Sequence, residues 1–160
     1  MATDGLTTCL WFDGKAEEAA HHYVSIFKNS SIGRVARYGE GAFQPAGSVM
    51  TVEFTVNGQN FVALNGGPQF TFSEAISFQI FCDDQEEVDY YWTRLTEGGG
   101  EPGPCGWLKD KYGVSWQVIP DGLIELVTDP DPEKAQRATQ AMMSMGKLDI
   151  AAVRTAHAGG

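Results

Sequence analysis

The side chains able to do acid–base, nucleophilic or metal chemistry in this sequence are three histidines, three cysteines and two acidic pairs. His21 and His22 are adjacent in a stretch of helical periodicity, so their rings point about 100° apart and cannot close on one ion. His21 faces away from the apolar arc and His22 sits at its margin, so both are expected to meet water. His157 is expected to fray with its terminus. Cys9, Cys82 and Cys105 form no C-x-x-C pair and are odd in number, so no disulfide framework is implied. Cys9 and Cys82 occupy comparable strand-like stretches and read as small buried hydrophobes. Cys105 lies in a loop-like Pro104-Cys105-Gly106 leading into a strand, and it is retained as the catalytic candidate; a thiolate there would need a base brought by the fold. Glu17-Glu18 and Glu86-Glu87 open helical stretches, where carboxylates suit the positive end of the helix dipole.

The elements that must position these groups come twice. Residues 6–12 form an apolar run of strand length closed by Asp13-Gly14. Residues 16–27 then place Ala16, Ala19, Ala20, Tyr23 and Phe27 on one helical arc. Residues 76–82 repeat the strand and are closed by Asp83-Asp84. Val88, Tyr91, Trp92 and Leu95 repeat the helix, which stops at Gly98-Gly99-Gly100. A shift of 69 residues lays Glu17-Glu18 on Glu86-Glu87 and Tyr23 on Trp92. Each unit leads to a hairpin: residues 51–56 and 61–64 around Asn57-Gly58, then residues 107–109 and 114–119 around Asp110 to Gly113. A shift of 55 superposes Gly58 on Gly113, so the second copy is 14 residues shorter between helix and hairpin (69 − 55). The missing piece corresponds to part of residues 32–45, an extra strand and loop in the first copy.

The expected fold is therefore α+β, two β-α-β-β-β modules over residues 6–67 and 75–120 forming a curled, antiparallel-rich cup. A helical arm over residues 121–160 completes a single domain. In the arm, Asp131 with Pro132 is a helix start, and Ala135, Ala138, Met142 and Met145 form its stripe. Asp149 could cap a last helix carrying Ile150 and Val153.

The 160 residues carry 11 Lys plus Arg against 21 Asp plus Glu, a formal charge of −10. That balance, without a basic cluster, argues against nucleic acid and against an anionic membrane surface. Residues 54–73 are uncharged, but Asn57-Gly58 and Asn65-Gly66-Gly67-Pro68 would leave turns and amides unpaired in hydrocarbon. The first residues lack the basic start and apolar core of a secretory leader, and a cytoplasmic location is expected.

Three motifs carry a resemblance. Leu10-Trp11-Phe12-Asp13-Gly14-Lys15-Ala16-Glu17-Glu18-Ala19, Ala63-Leu64-Asn65-Gly66-Gly67-Pro68 and Cys105-Gly106-Trp107-Leu108-Lys109-Asp110-Lys111-Tyr112-Gly113-Val114-Ser115-Trp116-Gln117, together with the arm, resemble the PhnB-like branch of the vicinal oxygen chelate superfamily. Glyoxalase I and bleomycin-resistance proteins belong to that superfamily, and members of this branch often carry the label 3-demethylubiquinone-9 3-methyltransferase. The resemblance implies that two modules face each other around a cup, with one inward position on the first and last strand of each module available to a divalent metal. Those positions fall on Thr8, Val62, Ser77 and Gln117, within about one residue on the first strand.

Such a metal calls for imidazole and carboxylate ligands, whereas these four side chains are two hydroxyls, an alkyl group and an amide. The expectation is a metal-free, cofactor-free cup, with Trp107 added to those four as cup residues, that binds a small apolar or aromatic metabolite in a homodimer. The competing expectations are a divalent-metal lyase, isomerase or dioxygenase and a non-catalytic interaction protein. A methyltransferase lacks support. Gly98-Gly99-Gly100 follows a helix, and no helical pattern follows Gly66-Gly67-Pro68, so neither forms the glycine-rich strand-to-helix turn of a Rossmann-type cofactor site.

Overall fold

Two short linkers decide the architecture. In the computed structural model, which describes residues 5–160, β1 (Thr8–Phe12) passes through Asp13-Gly14-Lys15 into α1 (Ala16–Ile26). The chain then lays down β2 (Ser31–Arg37), β3 (Val49–Val56) and β4 (Gln59–Asn65). The second copy runs β5 (Ser77–Cys82), α2 (Gln85–Thr96), β6 (Glu101–Pro102), β7 (Trp107–Lys109) and β8 (Ser115–Pro120). Helices α3 (Leu123–Val127), α4 (Pro132–Met143) and α5 (Ile150–Ala158) follow. The chain divides into two compact units, residues 1–72 and 73–160, so the helical arm belongs to the second. Each holds a mixed four-stranded sheet, ordered β1-β4-β3-β2 in one and β5-β8-β7-β6 in the other. The order is the same in both, which establishes the duplicated β-α-β-β-β modules. The second copy has not lost its edge strand, as the 14-residue deficit implied; it keeps one shortened to Glu101–Pro102, paired with Lys109 and Leu108.

In the first unit, alternation sends Leu10, Phe12, Val52, Phe54, Val56, Phe61 and Ala63 to the face covered by α1, where Ala16, Ala19, Ala20 and Tyr23 are buried. Tyr23 stacks on Phe54 and Phe54 on Phe61, with centroids 6.2 and 5.3 Å apart. Lys15 gives α1 no side-chain cap. Asn65, at the far end of β4, does so from 49 residues away: its Oδ1 accepts from Ala16 N at 2.9 Å, while its Nδ2 donates to Val49 O at 3.1 Å. The second copy solves the same problem locally, because Asp84 accepts from Glu87 N at 2.9 Å. Its strand–helix linker, Asp83-Asp84, is also one residue shorter than Asp13-Gly14-Lys15.

In the second unit Ile80, Cys82, Leu108, Trp116 and Val118 share the face packed by Val88, Tyr91 and Leu95 of α2. Asp110 organises the hairpin above them. Only 3% exposed, it accepts from Tyr112 N at 2.9 Å and Val114 N at 3.1 Å on Oδ1, and from Trp116 Nε1 at 2.9 Å on Oδ2. The arm packs its own cluster, Leu123, Ala138, Leu148, Ile150 and Val153, around Ile119 of β8. Asp131 and Asp149 cap α4 and α5 as the sequence predicts. Replacing Asp110 with Ala leaves the Trp116 indole N–H and two backbone N–H groups without their acceptor. The expected loss is about 3 kcal/mol, with most of it retained in Asp110→Asn; urea unfolding followed by tryptophan fluorescence measures both.

Candidate functional site

Each sheet has a second face that its helix does not cover, and the residues singled out by sequence divide between the two. On the first sheet Val62 pairs with Cys9 of β1 and with Glu53 of β3, so these three share the open face. Thr8 does not join them. It pairs with Phe61 and falls on the face of Leu10 and Phe12, toward α1. The error comes from the linker. Helix starts Ala16 and Gln85 are 69 apart, but strand ends Phe12 and Cys82, equivalent by their pairing with Asn65 and Pro120, are 70 apart. The residue equivalent to Ser77 is therefore Thr7, which lines a cavity of about 560 Å³ with Val62, Asn60, Thr55, Glu53 and Arg34. An ion pair between Arg34 and Glu53, 2.6 Å long, lies at that cavity.

On the second sheet the expected residues do come together. Gln117 Nε2 donates to Ser77 Oγ at 2.8 Å, Trp107 is the cross-strand neighbour of Gln117, and Gln79 lies beside it on β5 and donates to Gln117 Oε1 at 3.4 Å. Sequence reasoning missed Gln79; its place two residues beyond Ser77 on the same face was the available signal. Trp116, one residue earlier than Gln117, points the opposite way and is buried. Beside Trp107 a cleft of about 460 Å³ extends past Cys105, Pro102, Lys109 and Ser115. Lys109 Nζ is paired with Glu74, and this holds the Glu74 carboxyl below its ordinary range and the Lys109 ammonium above its own.

The reactive side chains are dispersed. Cys9 is exposed rather than buried, on the open face with Val62. Cys82 is buried, and burial with the nearby carboxylates of Glu87, Asp83 and Asp84 pushes its thiol up to about 12, which keeps it inert. Cys105 is half-buried at a backbone φ of 56°, left-handed for a residue with a Cβ, and is fixed by its N–H to Met145 O at 2.8 Å. No histidine lines the cleft it borders. His157 is not frayed: its Nε2 lies 2.8 Å from Asp129 Oδ2, and Arg137 donates to the carbonyls of Ala156 and His157 at the end of α5. Among the described residues no three His, Cys, Asp or Glu side chains are grouped to hold a metal ion. The second-sheet set does not fit one either, since the Gln117 amide and the Ser77 hydroxyl are engaged with each other. Nor is Gly66-Gly67 a cofactor cradle, because the Trp11 ring occupies the space against Gly66 and Trp11 Nε1 donates to Gly67 O at 2.9 Å.

Mixed sheets of this order, built twice in one chain, define the vicinal oxygen chelate architecture. The chain belongs within it to the 3-demethylubiquinone-9 3-methyltransferase family, whose profile matches residues 4–119. A PhnB protein from Bacillus cereus carrying the same family name is 37% identical, and the match spans 73% of this chain and 99% of that one with a TM-score of 0.65. A Pseudomonas aeruginosa protein at 19% identity (74% and 98% covered, TM-score 0.60) shares the fold. So does FosX, the fosfomycin resistance protein of Listeria monocytogenes, at 16% identity (78% and 98% covered, TM-score 0.52). No curated protein matches the chain. Among the described residues no helix is long and apolar enough to cross a membrane.

Two predictions follow from these placements. Gly66→Ala forces the new methyl into the Trp11 ring and should cost about 1–3 kcal/mol by urea unfolding, with a shift in tryptophan emission. Asp129 is held below the ordinary carboxylate range by the Asp131 N–H and by His157. Its stabilising contribution is therefore complete above the unfolded carboxylate value near pH 4 and is lost as pH falls through the folded one. His157→Ala should flatten the fall in melting temperature across that interval.

Proposed function

We propose that this protein binds a small, flat, partly polar organic molecule on the open face of its second sheet, without a metal. The observation that carries this reading is the Ser77–Gln117–Gln79 hydrogen-bonded row beside Trp107 and an adjoining cleft. Amides and a hydroxyl present donors and acceptors in fixed directions, and the indole supplies a flat apolar wall; such a combination orients a ligand of modest size. The acidic balance of the chain leaves nucleic acid and anionic membranes outside the reading. The family's name speaks for methyl transfer, but no glycine-rich turn among the described residues opens a helix toward a nucleotide cofactor.

The proposal includes a cytoplasmic homodimer. Family likeness supports the dimer more than the methionine stripe does, because Met142 and Met145 pack against the arm's own cluster and leave Met143, 65% exposed, as the apolar remainder.

A native mass spectrum of protein purified without chelator tests the whole reading. The expected species is a dimer carrying an organic adduct, unchanged by chelator. In Gln117→Ala the adduct should fall by about tenfold while the dimer and the melting temperature persist, as for loss of one buried polar contact. A stoichiometric divalent ion removed by chelator, with loss of a turnover, would overturn it.

A further inference from the structure

Resting on the binding reading above, we infer that the cleft beside Trp107 takes a small aromatic carboxylate, with Glu74 occupying the anion's place on Lys109 until the ligand arrives. Three observations meet there. The cleft of about 460 Å³ is walled by Trp107, Pro102, Pro104 and Leu108, room for a ring-sized apolar body. Its cation, Lys109, stands on the sheet face that also carries Trp107 and Gln117, and is ion-paired with the carboxylate of Glu74, which comes from the segment leading into β5 and is itself largely exposed; Glu101 adds a weaker attraction. An exposed lysine–glutamate pair contributes little net stability, so exchange of one carboxylate for another costs almost nothing, while a ligand adds the apolar contact that Glu74 does not make.

The third observation is a polar demand that the protein does not meet. Ser115, cross-strand neighbour of Lys109 and 1% exposed, borders the same cleft, and its Oγ has no hydrogen-bond partner among the described residues. Buried hydroxyls are ordinarily satisfied. A carboxylate seated on Lys109 offers this one an acceptor, with the Ser115 hydroxyl as donor. The other charged side chain bordering the cleft is Glu101 of β6, at the edge of the sheet. Its negative charge disfavours a ligand with more than one carboxylate, which restricts the class to monoanions.

The test titrates sodium benzoate, with benzyl alcohol as the uncharged counterpart, into the ¹⁵N-labelled full chain, following the Trp107 indole and the amides of residues 101–117. Benzoate is expected to bind at least about threefold more tightly than the alcohol. Glu74→Gln should tighten benzoate alone by about two- to fivefold, as release of one exposed counter-ion allows. Because that variant gains affinity, a folding defect cannot imitate it. Lys109→Met should abolish the preference for the anion, and Ser115→Ala should weaken benzoate while shifting, in the free protein, only the amides next to residue 115 and to its partner Lys109. Equal binding of the two probes, or a Glu74→Gln variant that binds benzoate as the parent does, overturns the inference while leaving small-molecule binding intact. Silence of both probes at millimolar concentration overturns it as well. The binding reading fails separately, on native spectra without an adduct.

Discussion

Each half of this protein hangs on a parallel pair formed by its first and last strands, β1 with β4 and β5 with β8. A parallel pair cannot be closed by a tight turn, so the chain must cross over, and the helix that makes the crossing covers one sheet face. The other two strands are then added on the far side of the last one. The same backbone bond seals both joints: Gly66 N donates to Phe12 O at 3.0 Å, and Asp121 N donates to Cys82 O at 2.8 Å. What lies just beyond that bond differs. In the first half Asn65 caps the crossing helix and Gly66-Gly67 accepts the Trp11 indole; in the second, the chain turns at once into the arm. The family motifs around Trp11 and Asn65 thus form one mechanical joint, 54 residues apart in sequence and adjacent in space.

This division of labour explains what the sequence reveals and what it conceals. Asn57-Gly58, Asp131-Pro132 and Asp149 act through neighbours two or three residues away, and the turns and caps they predict are found where expected. Asn65 acts across 49 residues, so nothing near it in sequence announces a cap. A second difference reaches the candidate site. The linkers of the two copies differ by a residue, and a residue is half a strand repeat, enough to turn Thr8 toward the helix and bring Thr7 to the open face. Ser77 and Gln117 lie on the open face of their own sheet, on β5 and β8, where they are hydrogen-bonded to each other. A two-residue strand such as β6 lies below any periodic signal, and the orphaned hydroxyl of Ser115 depends on what surrounds it rather than on what precedes it.

The arm shows how a second copy acquires its own character. Ile119 shares a strand face with Gln117, yet it is buried in the cluster made by α3, α4 and α5. The amides of Cys105 and Gly106 are held by the carbonyls of Met145 and Gly146, and Leu148 leaves no room for a side chain at Gly106. The loop that walls the cleft is therefore set by the connection between α4 and α5, and the arm has become part of the cleft's architecture rather than an appendage.

No strand of either sheet is borrowed from the other half. Every ladder bond of the first sheet lies within residues 8–65, and every one of the second within residues 77–120. In evolutionary terms the register of each copy is specified within its own half, because no ladder bond joins the two. The second half carries a two-residue edge strand and three further helices where the first has a seven-residue edge. A gene built this way can be diversified one half at a time, with the untouched half preserving a complete sheet throughout.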